Sequence, residues 1–143
     1  MAITQEVCNS FKTEVLTGIH NFTLTTGDVF KLALYATAAT LNKSTTAYSA
    51  TNEVANSGSY AAGGGTLTNV TPVLDTDTAI CDFSDLSFTT ATITARGALI
   101  YNSTDSNKAV CVLDFGAEKT STAGTFTITF PVAAAATAIL RIA

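Results

Sequence analysis

The chain has 143 residues, of which 47% are hydrophobic and only 13% charged, with a net charge of −4, three Cys and one His. Seven Lys and Arg scattered singly leave no basic patch to neutralise phosphates, and no apolar run approaches the roughly 18 residues of a membrane span, so neither nucleic acid nor membrane is expected as a partner. Cys8, Cys81 and Cys111 are odd in number and far apart in sequence, which fits neither a disulfide framework nor a zinc site; they read as small hydrophobes, and no metal or cofactor is expected.

Taken in chain order, residues 1–18 read as an N-terminal arm and helix. Met1–Glu6 have neither the basic nor the apolar region of a signal peptide, so synthesis in the cytosol is expected. Val7, Phe11 and Val15 stand four apart with Cys8 and Leu16 alongside, which predicts a short amphipathic helix capped by Thr4 and ended by Gly18. Residues 19–143 read as a β domain. Val29–Thr37 places Phe30, Leu32 and Leu34 on one face and Lys31, Ala33 and Tyr35 on the other.

A long connection, 42–65, follows. It leaves room for a turn of helix around Glu53 and Val54, and it ends in a Gly- and Ser-rich stretch, Ser57–Gly65, that reads as a flexible loop. Further strands are predicted at Thr66–Leu74, Thr78–Phe83, Thr90–Tyr101, Lys108–Phe115 and Ala138–Ile142. Phe126, Ile128 and Phe130 alternate with Thr125, Thr127 and Thr129 between Gly124 and Pro131. Asn102–Asn107 has turn composition, predicting a central hairpin from Thr94 to Phe115. Val132–Ala138 fits either a turn of helix or an extended crossover. The class that follows is mainly β: a single-domain antiparallel β-sandwich, jelly-roll-like, with a short N-terminal amphipathic helix. Thr, about a fifth of the chain, supplies the polar face of its strands while favouring the pleated backbone.

Candidate chemistry is sparse. His20 lies just past the helix without a triad context and reads as a structural hydrogen bonder. Asp75, Asp77, Asp82 and Asp85 could offer oxygen ligands to calcium but lack the offsets of a calcium loop. Gly63–Gly65 lacks the residues of a phosphate cradle and instead suggests flexibility or close backbone approach. Arg96, a lone cation in the central hairpin, suggests an ion pair with a carboxylate of a neighbouring subunit.

Several stretches carry a resemblance: Cys8-Asn9-Ser10-Phe11-Lys12, Phe30-Lys31-Leu32-Ala33-Leu34-Tyr35, Ala47-Tyr48-Ser49 with Asn52-Glu53-Val54, Gly58-Ser59-Tyr60-Ala61-Ala62-Gly63-Gly64, Ala95-Arg96-Gly97-Ala98-Leu99-Ile100-Tyr101-Asn102 and Val112-Leu113-Asp114-Phe115-Gly116. In order and spacing the chain resembles a family of small virion structural proteins of tailed bacteriophages. The resemblance implies a place in a phage particle and no enzymatic activity. The expected role is a capsid cement or decoration protein, bound to the outer surface of the major capsid shell and to copies of itself, a trimer by analogy with three-fold capsid sites. Subunit contacts are expected from Val7, Phe11 and Val15 on the helix, Tyr48 and Tyr60 in the long connection, and Arg96. The alternative is a tail-tip, fibre or head-fibre module whose Thr-, Ser- and Asn-rich surface binds host glycans.

Overall fold

A computed structural model describes residues 2–143. The elements are β1 (Glu6–Val7), α1 (Asn9–Leu16), β2 (Phe30–Tyr35), β3 (Gly65–Thr66), β4 (Asn69–Asp75), β5 (Thr78–Phe83), β6 (Leu86–Asn102), β7 (Lys108–Ile128) and β8 (Leu140–Ile142). They form two antiparallel sheets, a five-stranded one in the order β1-β7-β6-β2-β3 and a three-stranded one in the order β4-β5-β8. The molecule is mainly β with one short N-terminal helix, the predicted class.

Its spine is one hairpin. The predicted strands Thr90–Tyr101 and Lys108–Phe115 and the Thr-alternating run near residue 126 are pieces of β6 and β7, paired from Asn102↔Lys108 to Leu86↔Ile128. The turn half is buried on both faces, from Ala98, Leu99 and Ile100 to Val110 and Val112. The far half alternates: Phe88, Ala91, Ile93, Phe126 and Ile128 point inward, while Ser87, Thr92, Thr94, Thr125 and Thr127 are exposed. The halves meet at a bulge, where Ala95↔Lys119 is followed by Gly97↔Asp114, so Arg96 alone stands against Phe115–Glu118. An insertion of this kind bends and re-aims a strand.

β2 departs from the predicted alternation. Ala33 and Tyr35 are as buried as Leu32 and Leu34, because the 42–65 connection folds over their face. That connection is neither helical nor a loose loop. Val54 N–H donates to the Leu34 carbonyl, Ser59 N–H to the Thr89 carbonyl, and the Ser57 and Ser59 hydroxyls accept from Thr92 and Thr89 N–H. At Gly64, with φ +83°, a Cβ would collide with the Leu32 carbonyl, so close backbone approach is the reason for this glycine.

The helix starts later than predicted. Val7 pairs with Cys111 in β1, so the N-cap is Cys8 and not Thr4, whose N–H donates to the Leu41 carbonyl. Pairing to β7 consumes the residues that the four-residue spacing had assigned to helix. The predicted end holds: Gly18 N–H bonds the Val15 carbonyl and Ile19 N–H the Glu14 carbonyl, a Schellman motif that needs the left-handed φ of +83° at Gly18. At the other end of the chain, Ala138 N–H returns to the Ala134 carbonyl in a single helical turn before β8.

Candidate interaction surface

The two turns of α1 are too short to cover the three-stranded sheet, and a groove of about 420 Å³ remains between them. Val7, Phe11, Val15 and Leu16 form one wall; Pro72, Ile80, Leu140 and Ile142 form the other. Phe11 is buried and anchors the helix, with its ring 4.8 Å from that of His20 and 6.0 Å from that of Phe22. Val7 and Val15 are half-buried. The groove's most exposed apolar groups are Leu16, 88% exposed, and Ile142, 63% exposed. Lys12 and Arg141 supply cations within this otherwise apolar lining. The predicted stripe of Val7, Phe11 and Val15 is thus gathered on one surface. The opposing wall comes from the middle and the end of the chain, where single-segment periodicity carries no signal for it.

Beneath the groove, His20 is held from both sides. Its Nε2 lies 2.9 Å from Glu14 Oε1, and its Nδ1 lies 3.1 Å from Asn102 Nδ2. The Asn102 carbonyl oxygen accepts from Thr104 and Asp105 N–H, so its NH₂ faces inward, toward His20 and Asp28. An amide nitrogen only donates; His20 Nδ1 is therefore the acceptor, and Nε2–H donates to Glu14. His20 is a structural hydrogen bonder, as its sequence context suggested.

A second network fills the space under the 42–65 connection. The Glu53 carboxylate accepts from the Tyr48 hydroxyl at 2.5 Å, the Tyr60 hydroxyl at 3.2 Å and Gly63 N–H at 2.8 Å. Tyr101 donates to the Gly63 carbonyl and stacks on Tyr48 with ring centroids 4.8 Å apart, and Tyr35 donates to the Ser49 carbonyl. All four tyrosines of the chain thus surround one carboxylate. Burial first, then the Glu53 charge, pushes the Tyr101 phenol up to about 12. Burial likewise raises Tyr35, Tyr48 and Tyr60. This corrects the expectation that Tyr60 presents a subunit contact. Tyr60 is 1% exposed and accepts from Leu34 N–H, and Tyr48 is half-buried with its hydroxyl committed to Glu53. Distant parts of the chain supply the network, and no local spacing signals it.

Arg96 likewise differs from expectation. Its partner is within the chain: Nε donates to Asp114 Oδ1 at 3.0 Å across the β6–β7 bulge. The Arg96 hydrogen bond and Gly116 N–H hold the Asp114 carboxyl below the usual aspartate range.

Of the four aspartates considered for calcium, two serve the backbone instead, Asp75 accepting from Ala135 N–H and Asp85 from Phe130 N–H. Among the described residues, no cluster of three His, Cys, Asp or Glu is placed to hold a metal ion. The three cysteines are free and buried; desolvation raises Cys8 to about 11 and Cys81 to about 12, and pushes Cys111 up as well. Comparison with protein-family models, curated proteins and solved structures found no match to the chain.

Proposed function

We propose that this chain is a structural component of a bacteriophage particle, a cement or decoration protein that binds the outer surface of the major capsid shell and stabilises it. The observation that carries this reading is the open apolar groove between α1 and the three-stranded sheet, which keeps Leu16 and Ile142 in water. An apolar segment of the shell protein with a carboxylate near Lys12 or Arg141 matches its chemistry. Burying such a segment contributes roughly 25 cal/mol for each Å² of apolar area withdrawn from water. The sequence resemblance to small phage virion proteins, which spans most of the chain, supports the same assignment. The largely uncharged, Thr-faced exterior supports it too, since the cores of subunit contacts are depleted in Lys, Glu and Asp.

The test is to purify particles from infected cells and locate the chain in them by electron cryo-microscopy. Density repeated over the shell lattice, with the α1 groove occupied by the shell protein, is the expected result. Confinement to the tail or a vertex would favour the host-recognition alternative, and absence from purified particles would reject both.

A further inference from the structure

The edges of the two sheets are treated very differently. β1 and β3 have two residues each, β8 has three and carries Arg141, and β4 is interrupted by Pro72 and a register shift. These are the usual ways in which natural sheets blunt an edge. Before Gly97, β6 has no strand on its outer side but is met there by Ser57 and Ser59; β7 is left more open. On one side it pairs with β6 throughout; on the other, β1 covers only Cys111 and Val112. Gln5 then accepts from Asp114 N–H, and the Asp114 carboxylate from Gly116 N–H.

From Gly124 to Thr129 no strand lies on that outer side among the described residues. Phe130 N–H turns inward to Asp85, beside β6. By the two-residue alternation of a strand, the N–H and C=O groups of Thr125, Thr127 and Thr129 point away from β6, to the open side. Gly124–Phe130 carries no charge and no proline, and its other residues, Thr, Phe and Ile, all favour strands. A groove of about 500 Å³ runs beside this edge, with Phe115, Pro131 and Ile139 among its walls.

We propose that a second copy of this chain pairs with this edge, antiparallel and about a two-fold axis at Thr127, joining the two five-stranded sheets into one. The segment is complementary to itself in this register. Thr127 meets Thr127 of the second copy, Thr125 meets Thr129, and Phe126 meets Ile128, so hydroxyls oppose hydroxyls on the outer face and apolar groups oppose apolar groups on the inner face. The Thr pairs exchange about six main-chain hydrogen bonds. Cross-strand hydroxyl contacts of this kind already occur within the hairpin, where Ser87 Oγ and Thr127 Oγ1 are 3.0 Å apart. No charge lies within the paired segment to oppose a like charge. A two-fold pair uses the same patch on both copies, and it takes the place of the trimer expected from capsid symmetry. The inference is independent of the particle reading, because it uses neither α1 nor the groove between α1 and the three-stranded sheet.

The test is sedimentation of the intact chain over a range of concentrations, with amide hydrogen exchange on the same samples. The expected result is a monomer–dimer equilibrium in which the Thr125, Thr127 and Thr129 amides exchange more slowly as dimer forms. Thr127→Lys sets two ammonium groups against each other at the axis and is expected to weaken the dimer at least about tenfold, the equivalent of 1.4 kcal/mol. Thr94→Lys, the same change on the outer face of β6, is expected to leave it intact. A monomer at all concentrations whose three amides exchange freely would overturn the proposal, as would a trimer, or a dimer indifferent to Thr127→Lys. The wild-type exchange measurement decides the matter even if the Lys variant fails to fold.

Discussion

Asn102, at the end of β6, and His20, just past the helix, are linked by a single hydrogen bond, 3.1 Å from Nδ2 to Nδ1, whose direction is fixed by the other bonds of the asparagine. It ties the segment carrying the groove's floor to the turn of the central hairpin. The second hydrogen of the same NH₂ goes to Asp28, at 2.8 Å.

Asn102→Asp keeps the shape but replaces that donor with an acceptor facing both His20 Nδ1 and the Asp28 carboxylate. A buried charge left without compensation costs about 3 kcal/mol or more. Chemical denaturation at neutral pH should show a loss of that size. Partial recovery is expected in mild acid, as the new carboxyl takes up a proton and can again donate. Stability unchanged from wild type would mean that the network is not formed as described.

Glu53→Gln leaves one carbonyl oxygen to serve the Tyr48 and Tyr60 hydroxyls and Gly63 N–H, with an expected loss of about 1–3 kcal/mol. The wild-type tyrosines also set an alkaline limit. Their folded-state pKa values are raised, so above about pH 10, the ordinary tyrosine value, the unfolded chain releases phenolic protons that the folded chain retains. Stability then falls as pH rises. An ultraviolet titration should show little tyrosinate until a cooperative unfolding transition, when the phenols ionise together; gradual ionisation from about pH 10 of a chain that stays folded would contradict the buried network.

Arg96→Met tests the bulge. The folded-state pKa of Asp114 is lowered, so its contribution to stability is fully present above the ordinary aspartate value of about 3.9 and disappears as pH falls through the lower folded value. The wild-type melting temperature should therefore fall in that acid range, and the Met variant should fall less steeply. Parallel curves would show that the ion pair contributes nothing.

Leu16→Lys separates binding from folding. Leu16 is almost fully exposed, and a cation in the last turn of a helix interacts favourably with its dipole, by about 0.3–1 kcal/mol. The variant should melt at or slightly above the wild-type temperature yet fail to add to shells lacking the protein, measured by co-sedimentation. Wild-type occupancy would remove the groove from the contact.

The thiols of Cys8, Cys81 and Cys111 are buried, Cys81 at the floor of the groove with 7% exposure, and their pKa values are raised, so each is protonated at neutral pH and withdrawn from reagent. A disulfide exchange reagent should label none of them in the native chain and all three in denaturant. Rapid labelling of any one under native conditions would place it at the surface.

These structural relationships differ in how far they could be read from residues alone. The far half of β7 was legible because Thr and Phe or Ile alternate there without interruption, and the Schellman end of α1 because only glycine takes its left-handed φ without strain. The start of α1 was not, since a two-residue strand has no period and Val7 fits a helical spacing as well as a pairing with Cys111. That Thr125–Phe130 and Leu86–Ala95 belong to one hairpin depends on the bulge at Arg96, which also brings Arg96 to Asp114. The Glu53 network draws its residues from β2, the long connection and β6, so only the closed fold reveals it.

The groove's walls come from the start, the middle and the end of the chain, and this sets when it can exist. The β6–β7 hairpin closes through the short Ser103–Asn107 turn, and local pairings of this type form in about 1–10 μs. Joining Glu6 to Val112, or Cys81 to Leu140, requires closing far longer loops, and such contacts form slowly. The hairpin is expected to form first and the terminal walls last. A chain able to dock through this groove would then be one that has finished folding, so incomplete copies would be rejected without a separate proofreading step.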